Sequence, residues 1–257
     1  MQYTFGDSEI AARRLKVVAE VFAPSSRTFL LDAIADKPSL ALDLGCGPGY
    51  STHLLADALG GDHTVGVDSS QYFISLAKKT ETEKVSFRLH DIASTPFPLG
   101  PADLIYCRFL VTHLRGPKDV IARWATQLRP NGLLLMDEVE WIRTDNAVFA
   151  AYLDIVEAML RDQSNELYVG PLLSGLAKTE TLKRRTSEVR SLSVSNRQAA
   201  TMFSHNIQSW KHKPFVRSNY RPDTIDRLEG DLRAFREAPD TGVEIEWGLR
   251  QIVLERA

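Results

Sequence analysis

The chain has 257 residues, 44% hydrophobic and 25% charged, with a formal net charge of -2. That length suits one large domain, and the near-neutral charge excludes a general affinity for nucleic acid or an anionic membrane. Two cysteines, Cys46 and Cys107, are too few for a disulfide scaffold or a metal cluster of their own.

Asp7 is positioned to cap a first helix, in which Ile10, Leu15, Val18 and Phe22 recur at helical spacing. Pro24 is expected to end it, with Ser25 or Ser26 capping a second helix that carries Phe29, Leu30, Ala33 and Ile34. After Lys37-Pro38, the run Leu40, Ala41, Leu42, Leu44 predicts a short buried strand. Gly45, Gly47 and Gly49 follow in LDLGCGPGYS, removing three side chains where that strand turns into a helix over 52–59. Such a bend exposes unpaired N–H groups at the positive end of a helix, a seat for a ligand. The spacing G-x-G-x-G is not that of a dinucleotide fingerprint, because Tyr50 stands where the third glycine belongs, and no Gly-Lys-Ser/Thr makes a P-loop.

A second strand over 64–67 ends in Asp68, whose carboxylate can accept hydrogen bonds from both hydroxyls of a ribose. A helix over 71–79 leads to a third strand, 85–90, ending at Asp91-Ile92. Beyond a proline-rich loop come a fourth strand, 102–107, a helix over 118–128, the turn Arg129-Pro130-Asn131-Gly132 and a fifth strand, 133–137. Strands alternating with helices predict a parallel sheet with right-handed crossovers and a ligand at the strand carboxyl ends.

The glycine turn with Asp43, the acids Asp68 and Asp91, the fourth strand introduced by Asp103 and the fifth strand after its turn occur in order across 40–138. This arrangement resembles the class I S-adenosylmethionine-dependent methyltransferases. The resemblance implies an α/β, Rossmann-like seven-stranded sheet, mostly parallel with an antiparallel last strand and helices on both faces. It implies S-adenosylmethionine as cofactor and S-adenosylhomocysteine as product. By the same analogy Asp43, Gly45, Cys46 and Gly47 form the cofactor turn, Asp68 and Ser69 meet the ribose, and Asp91 and Ile92 meet the adenine. Cys107 and Arg108 end the strand that faces the methionine part. The opening YTFGDSEIAARRL resembles an N-terminal element of some methyltransferases, which implies Tyr3 and Arg14, rather than Arg13, at the methionine carboxylate; a solvated helix face is the alternative.

Candidate catalytic groups are His113 in RFLVTHL, beside the reacting methyl, and Glu138, just past the fifth strand, to orient an acceptor amine or hydroxyl. Trp141 and Tyr168 are candidate acceptor walls, with His205 and Trp210 behind them. Both cysteines read as small side chains fitted around the cofactor, and His90, His205 and His212 show no metal spacing, so no metal is expected.

The whole chain, 1–257, reads as one domain: a helical lid over 1–37, a cofactor core over 38–140, and acceptor-side helices with the final strands over 141–257. In the last part, helices are expected over 149–160, 172–178, 196–210 and 223–235, and strands over 188–194 and 247–254; the late helices and the N-terminal pair should form a cap. Between Lys178 and Arg221 ten basic residues face two acids, either a solvated face or a site for an acidic partner. No signal peptide or apolar span is evident, so a cytoplasmic protein without a membrane partner is expected. The expected function is methyl transfer to an oxygen or nitrogen of a small-molecule acceptor. The alternatives are an RNA or protein methyltransferase using the basic stretch, or a non-catalytic regulator that binds the cofactor.

Overall fold

The computed structural model describes residues 6–176, 181–239 and 242–257. Within them seven strands form one sheet: β1 (Leu40–Leu44), β2 (His63–Asp68), β3 (Val85–Leu89), β4 (Ala102–Arg108), β5 (Leu128–Thr144), β6 (Leu182–Val194) and β7 (Ile245–Arg256). Their order is β3-β2-β1-β4-β5-β7-β6. The first five are parallel, and β7 runs antiparallel to both β5 and β6. The chain builds outward from β1 to β3 and then returns to the other side of β1 with β4, which opens a crevice at the carboxyl ends of β1 and β4.

Alternation along the strands sends successive residues to opposite faces. Leu42 and Ile105 pack with Trp124 of α4 (Pro117–Ala125) on one side. Ala41, Leu104 and Tyr106 pack with Leu55 of α2 (Tyr50–Leu59) and Leu30 of α1 (Glu9–Ala33) on the other. The remaining helices are α3 (Gln71–Ala77), α5 (Ala147–Asp162), α6 (Gly170–Ser174), α7 (Asn196–Trp210), α8 (Pro214–Asn219) and α9 (Pro222–Glu237). A third apolar cluster joins α5, α7 and α9 to Phe22 of α1 and Trp247 of β7, and α1 packs on α7, which makes the expected cap over the crevice.

Five expectations are corrected. The N-terminal pair of helices is a single helix, with Pro24 inside it. Phe22, Phe29 and Leu30 are buried on both sides of the proline, and packing along the sheet outweighs the local break. Its cap is Ser8, not Asp7; Asp7 instead accepts a hydrogen bond from the Ser70 hydroxyl at 3.0 Å. The fifth strand is far longer than 133–137, because β7 pairs with it all the way from Leu133↔Glu255 to Thr144↔Ile245. The short helix α8 was not expected, and the helix placed over 172–178 lies earlier, at α6, with residues 177 and 178 outside the described part.

Candidate active site

The crevice holds a cavity of about 610 Å³, within the range of small-molecule sites. Its floor is the bend between β1 and α2. Gly49 caps α2 at φ 95°, and a Cβ there would stand 2.6 Å from the Phe87 ring, so only glycine lets the loop close on β3. The bend is tied to β2: the N–H groups of Gly45 and Cys46 donate to Val67 O at 2.8 and 3.1 Å. Gly45, Cys46 and Gly47 line the cavity.

Asp68 ends β2 on the same wall. Its Oδ2 accepts the Gly47 N–H at 2.9 Å and its Oδ1 accepts the Ser70 N–H at 2.8 Å. Burial pushes this carboxylate above its ordinary range despite those bonds, and the neighbouring Asp7 adds to the shift. A desolvated carboxylate with no cation beside it suits neutral hydroxyl donors. Ser69, Asp91 and Ile92 continue the wall, with Asp91 Oδ1 accepting the Ala93 N–H at 3.0 Å.

From the lid, Arg14 and Leu15 reach the cavity. Arg13 is exposed and paired with Glu9 at 2.8 Å. Tyr3 lies outside the described residues. Arg108, at the end of β4, is also on the wall and is held from behind. Its Nη1 donates to Ser26 Oγ at 3.1 Å, and the Ser26 hydroxyl donates to the buried Asp137 at 2.7 Å. Gln251 bridges Asp137 and Ser25 at 3.2 Å to each. The two serines expected to cap a second helix thus pin α1 to the sheet.

His113 lines the cavity from the single turn Val111–His113. Burial, with the Arg14 cation nearby, brings its imidazole down to about 3, so near neutral pH it is uncharged and a weak base. Glu138 is not on the wall. It sits fully buried behind it, where Oε1 accepts the N–H groups of Leu110 and Val111 at 2.8 and 2.9 Å. Burial pushes it to about 8 and the adjacent Asp137 adds to that, the two N–H bonds opposing. It holds the turn that carries His113 and touches no acceptor.

Two further candidates stand behind the wall. Asp43 is buried under α2, accepting the hydroxyls of Ser51 and Thr52 at 2.6 and 2.7 Å; burial outweighs those bonds and pushes it to about 6. It fixes the helix N-terminus instead of meeting a ligand. Cys107 is buried with its Sγ 4.0 Å from Glu138. Burial pushes both thiols well up, so neither Cys46 nor Cys107 is a reactive thiolate at neutral pH. Among the described residues, no three His, Cys, Asp or Glu side chains converge as a metal site would need.

The expected acceptor walls are replaced. Trp141 packs over Gly248, under the Arg143 guanidinium at 4.1 Å from its ring, and Tyr168, His205 and Trp210 are also off the cavity. The walls are Phe22, Phe109, Tyr152, Phe203, Asn206 and Trp247. Phe109, directly after β4, has φ 52°, a left-handed conformation that costs a phenylalanine roughly 1–2 kcal/mol and turns the chain into the site. No local pattern marks these residues, since they come from five separate stretches. Three of the ten residues in the basic run make ion pairs within the chain: Arg185 with Glu255 at 2.7 Å, Arg190 with Asp32 at 3.2 Å and Lys211 with Glu229 at 2.8 Å. Among the described residues no helix is long and apolar enough to cross a membrane.

Residues 42–136 match a family model described as a methyltransferase domain. An uncharacterized 37.1 kDa protein in transposon TN4556 of Streptomyces fradiae is 36% identical over 46% of this chain and 36% of its own length. The trans-aconitate 2-methyltransferase of Delftia acidovorans is 42% identical over 36% of this chain and 35% of its own. The ubiquinone biosynthesis O-methyltransferase of Marinobacter nauticus is 31% identical over 42% of this chain and 49% of its own. The chain therefore spans about a third to a half of these relatives' lengths. Among solved structures, a plantazolicin methyltransferase in complex with S-adenosylhomocysteine aligns at a TM-score of 0.55 and 16% identity, covering 96% of this chain and 89% of that one. The [4+2]-cyclase SpnF aligns at 0.56 and 16%, covering 90% and 80%. At these identities the likeness is one of fold, and the cyclase marks how little a fold alone says about the reaction. The sheet order agrees with the family match: residues 42–136 are similar to a methyltransferase domain, and the fold around them is that of the solved methyltransferase structures.

Proposed function

We propose that the protein transfers a methyl group from S-adenosylmethionine to an oxygen or nitrogen of a small-molecule acceptor. The observation that carries this reading is the single cavity that joins the bare Gly45–Gly47 surface and the Asp68 carboxylate to a chamber roofed by α1 and α7. When bound, the cofactor supplies a methyl group already activated on a sulfonium, so positioning of the acceptor carries most of the acceleration. The bend and Asp68 would hold the ribose, Asp91 and Ile92 the adenine, and Arg14 the methionine carboxylate. Uncharged His113 orients a hydroxyl or amine on the acceptor; with so low a basicity it is a poor proton acceptor.

The roof favours a small acceptor over RNA or protein, since the chamber lies beneath two helices. An acceptor chamber also speaks against a purely regulatory cofactor binder. Calorimetry with S-adenosylhomocysteine tests the reading. Asp68→Ala should weaken binding by about 1–3 kcal/mol. Equal affinity would remove Asp68 from the site, and absence of binding to the wild-type chain would overturn the reading.

A further inference from the structure

The family match ends at residue 136, whereas most of the acceptor end of the cavity is built after it, by β5, α5, α7 and β7, with Phe22 and Phe109 completing it. The substrates of the relatives therefore do not carry over to this chamber, and its own walls decide what enters. None of the cavity-lining residues from those four elements carries a charge. The walls are rings in fixed mutual contact. Tyr152 stacks on Phe203 at 3.9 Å and 15°, and Phe22 stands edge-on to Phe109 at 4.8 Å and to Trp247 at 5.7 Å. Such rings take a flat ring between or against them by stacking and edge contacts. A carboxylate held by those four elements would lose its water with no cation in return, since the cavity-lining arginines, Arg14 and Arg108, come from α1 and the end of β4.

One polar group breaks the apolar lining. Asn206 of α7 is only 5% exposed and lies on the cavity wall. Its Nδ2 donates to the Tyr152 hydroxyl at 2.5 Å, while its Oδ1 is buried with no hydrogen-bond partner. A buried carbonyl oxygen without a donor is costly to keep, and in a ligand chamber the missing donor is expected on the ligand.

We propose that the acceptor is a ring-bearing, uncharged apolar molecule with an O–H or N–H that donates to Asn206 Oδ1, and not a polycarboxylate. The proposal rests on the methyl-transfer reading for the word acceptor, but the chamber's preference can be measured apart from it. Calorimetry on the full chain uses three probes: 2-naphthol, 2-methoxynaphthalene, which keeps the rings and lacks the donor, and trans-aconitate. Each is titrated with and without saturating S-adenosylhomocysteine.

2-Naphthol should bind at least tenfold more tightly than 2-methoxynaphthalene, and trans-aconitate should give no heat. Asn206→Leu should remove the difference between the two naphthalenes while leaving the methoxy compound's affinity in place. Ile142→Trp, which adds bulk on the wall, should weaken both. Tighter binding of trans-aconitate than of 2-naphthol, or an unchanged naphthalene ratio in N206L, would overturn the proposal. Should N206L fail to fold, equal affinity of the two naphthalenes for the wild-type chain is itself a refutation. If S-adenosylhomocysteine does not bind yet 2-naphthol does with the expected ratio, the methyl-transfer reading fails and the chamber assignment stands.

Discussion

Replacing Glu138 with glutamine removes an ionisable group and keeps a carbonyl oxygen for the N–H groups of Leu110 and Val111. The wild-type carboxyl moves from an ordinary 4.5 to about 8 on folding, chiefly through burial. A raised carboxyl pKa means that the folded state keeps a proton that the unfolded chain has released. Its contribution to stability is therefore complete below pH 4.5 and is lost as pH rises through 8. Between pH 6 and 8 the unfolded chain has ionised and the folded one has not, so stability falls by about 1.4 kcal/mol per pH unit. Over pH 6 to 9 the wild-type chain loses on the order of 3 kcal/mol from this residue, and E138Q loses none. The difference in unfolding free energy should thus shift by that amount in favour of E138Q between the two pH values, or roughly 5–11 °C in melting temperature. Urea unfolding of both proteins at pH 6 and pH 9 measures it. A gap that stays constant would show that Glu138 is ionised at neutral pH and that the burial argument is wrong.

Two further outcomes follow from local geometry. Gly100→Ala meets open space and should cost only the left-handed backbone penalty, about 1 kcal/mol, whereas Gly49→Ala adds an overlap with the Phe87 ring and should cost clearly more; equal losses in urea unfolding would refute the close approach. His113 should show no titration between pH 5 and 8 in proton–carbon NMR, with the signal identified by its loss in His113→Asn. A midpoint near 6.5 that vanishes only in the variant would place the imidazole in solvent.

The cofactor half was legible because its signals are local. Three glycines in five residues, an acid at the end of the next strand and a strand–helix alternation each sit within a short window, and the sheet order agrees with them. The acceptor half was not legible in the same way. Phe22, Phe109, Phe203 and Trp247 meet only through the folded cap, and as isolated aromatics in sequence they are indistinguishable from core. Asp43 was drawn into the site by the glycine-turn motif and Glu138 by its place just past the expected fifth strand, and both carboxylates are buried behind the wall. Residues one step apart on a strand face opposite sides, and an offset of one puts a carboxylate under a helix instead of in a cavity. Pro24 misled for the opposite reason: its local preference is strong, but Ser25, Ser26, Phe29 and Leu30 are each buried against the sheet just beyond it.

That proline divides the lid mechanically. Lacking an N–H, it leaves the Glu20 carbonyl without its usual rung in the helical ladder. Behind it the rod is bolted down by the hydroxyls of Ser25 and Ser26; ahead of it Arg14 to Phe22 reach the cavity, and Phe22 meets the sheet through the Trp247 ring. The break thus separates a half held by hydroxyl bonds from a half held by ring contacts, and the arginine and the ring wall ride together on the second.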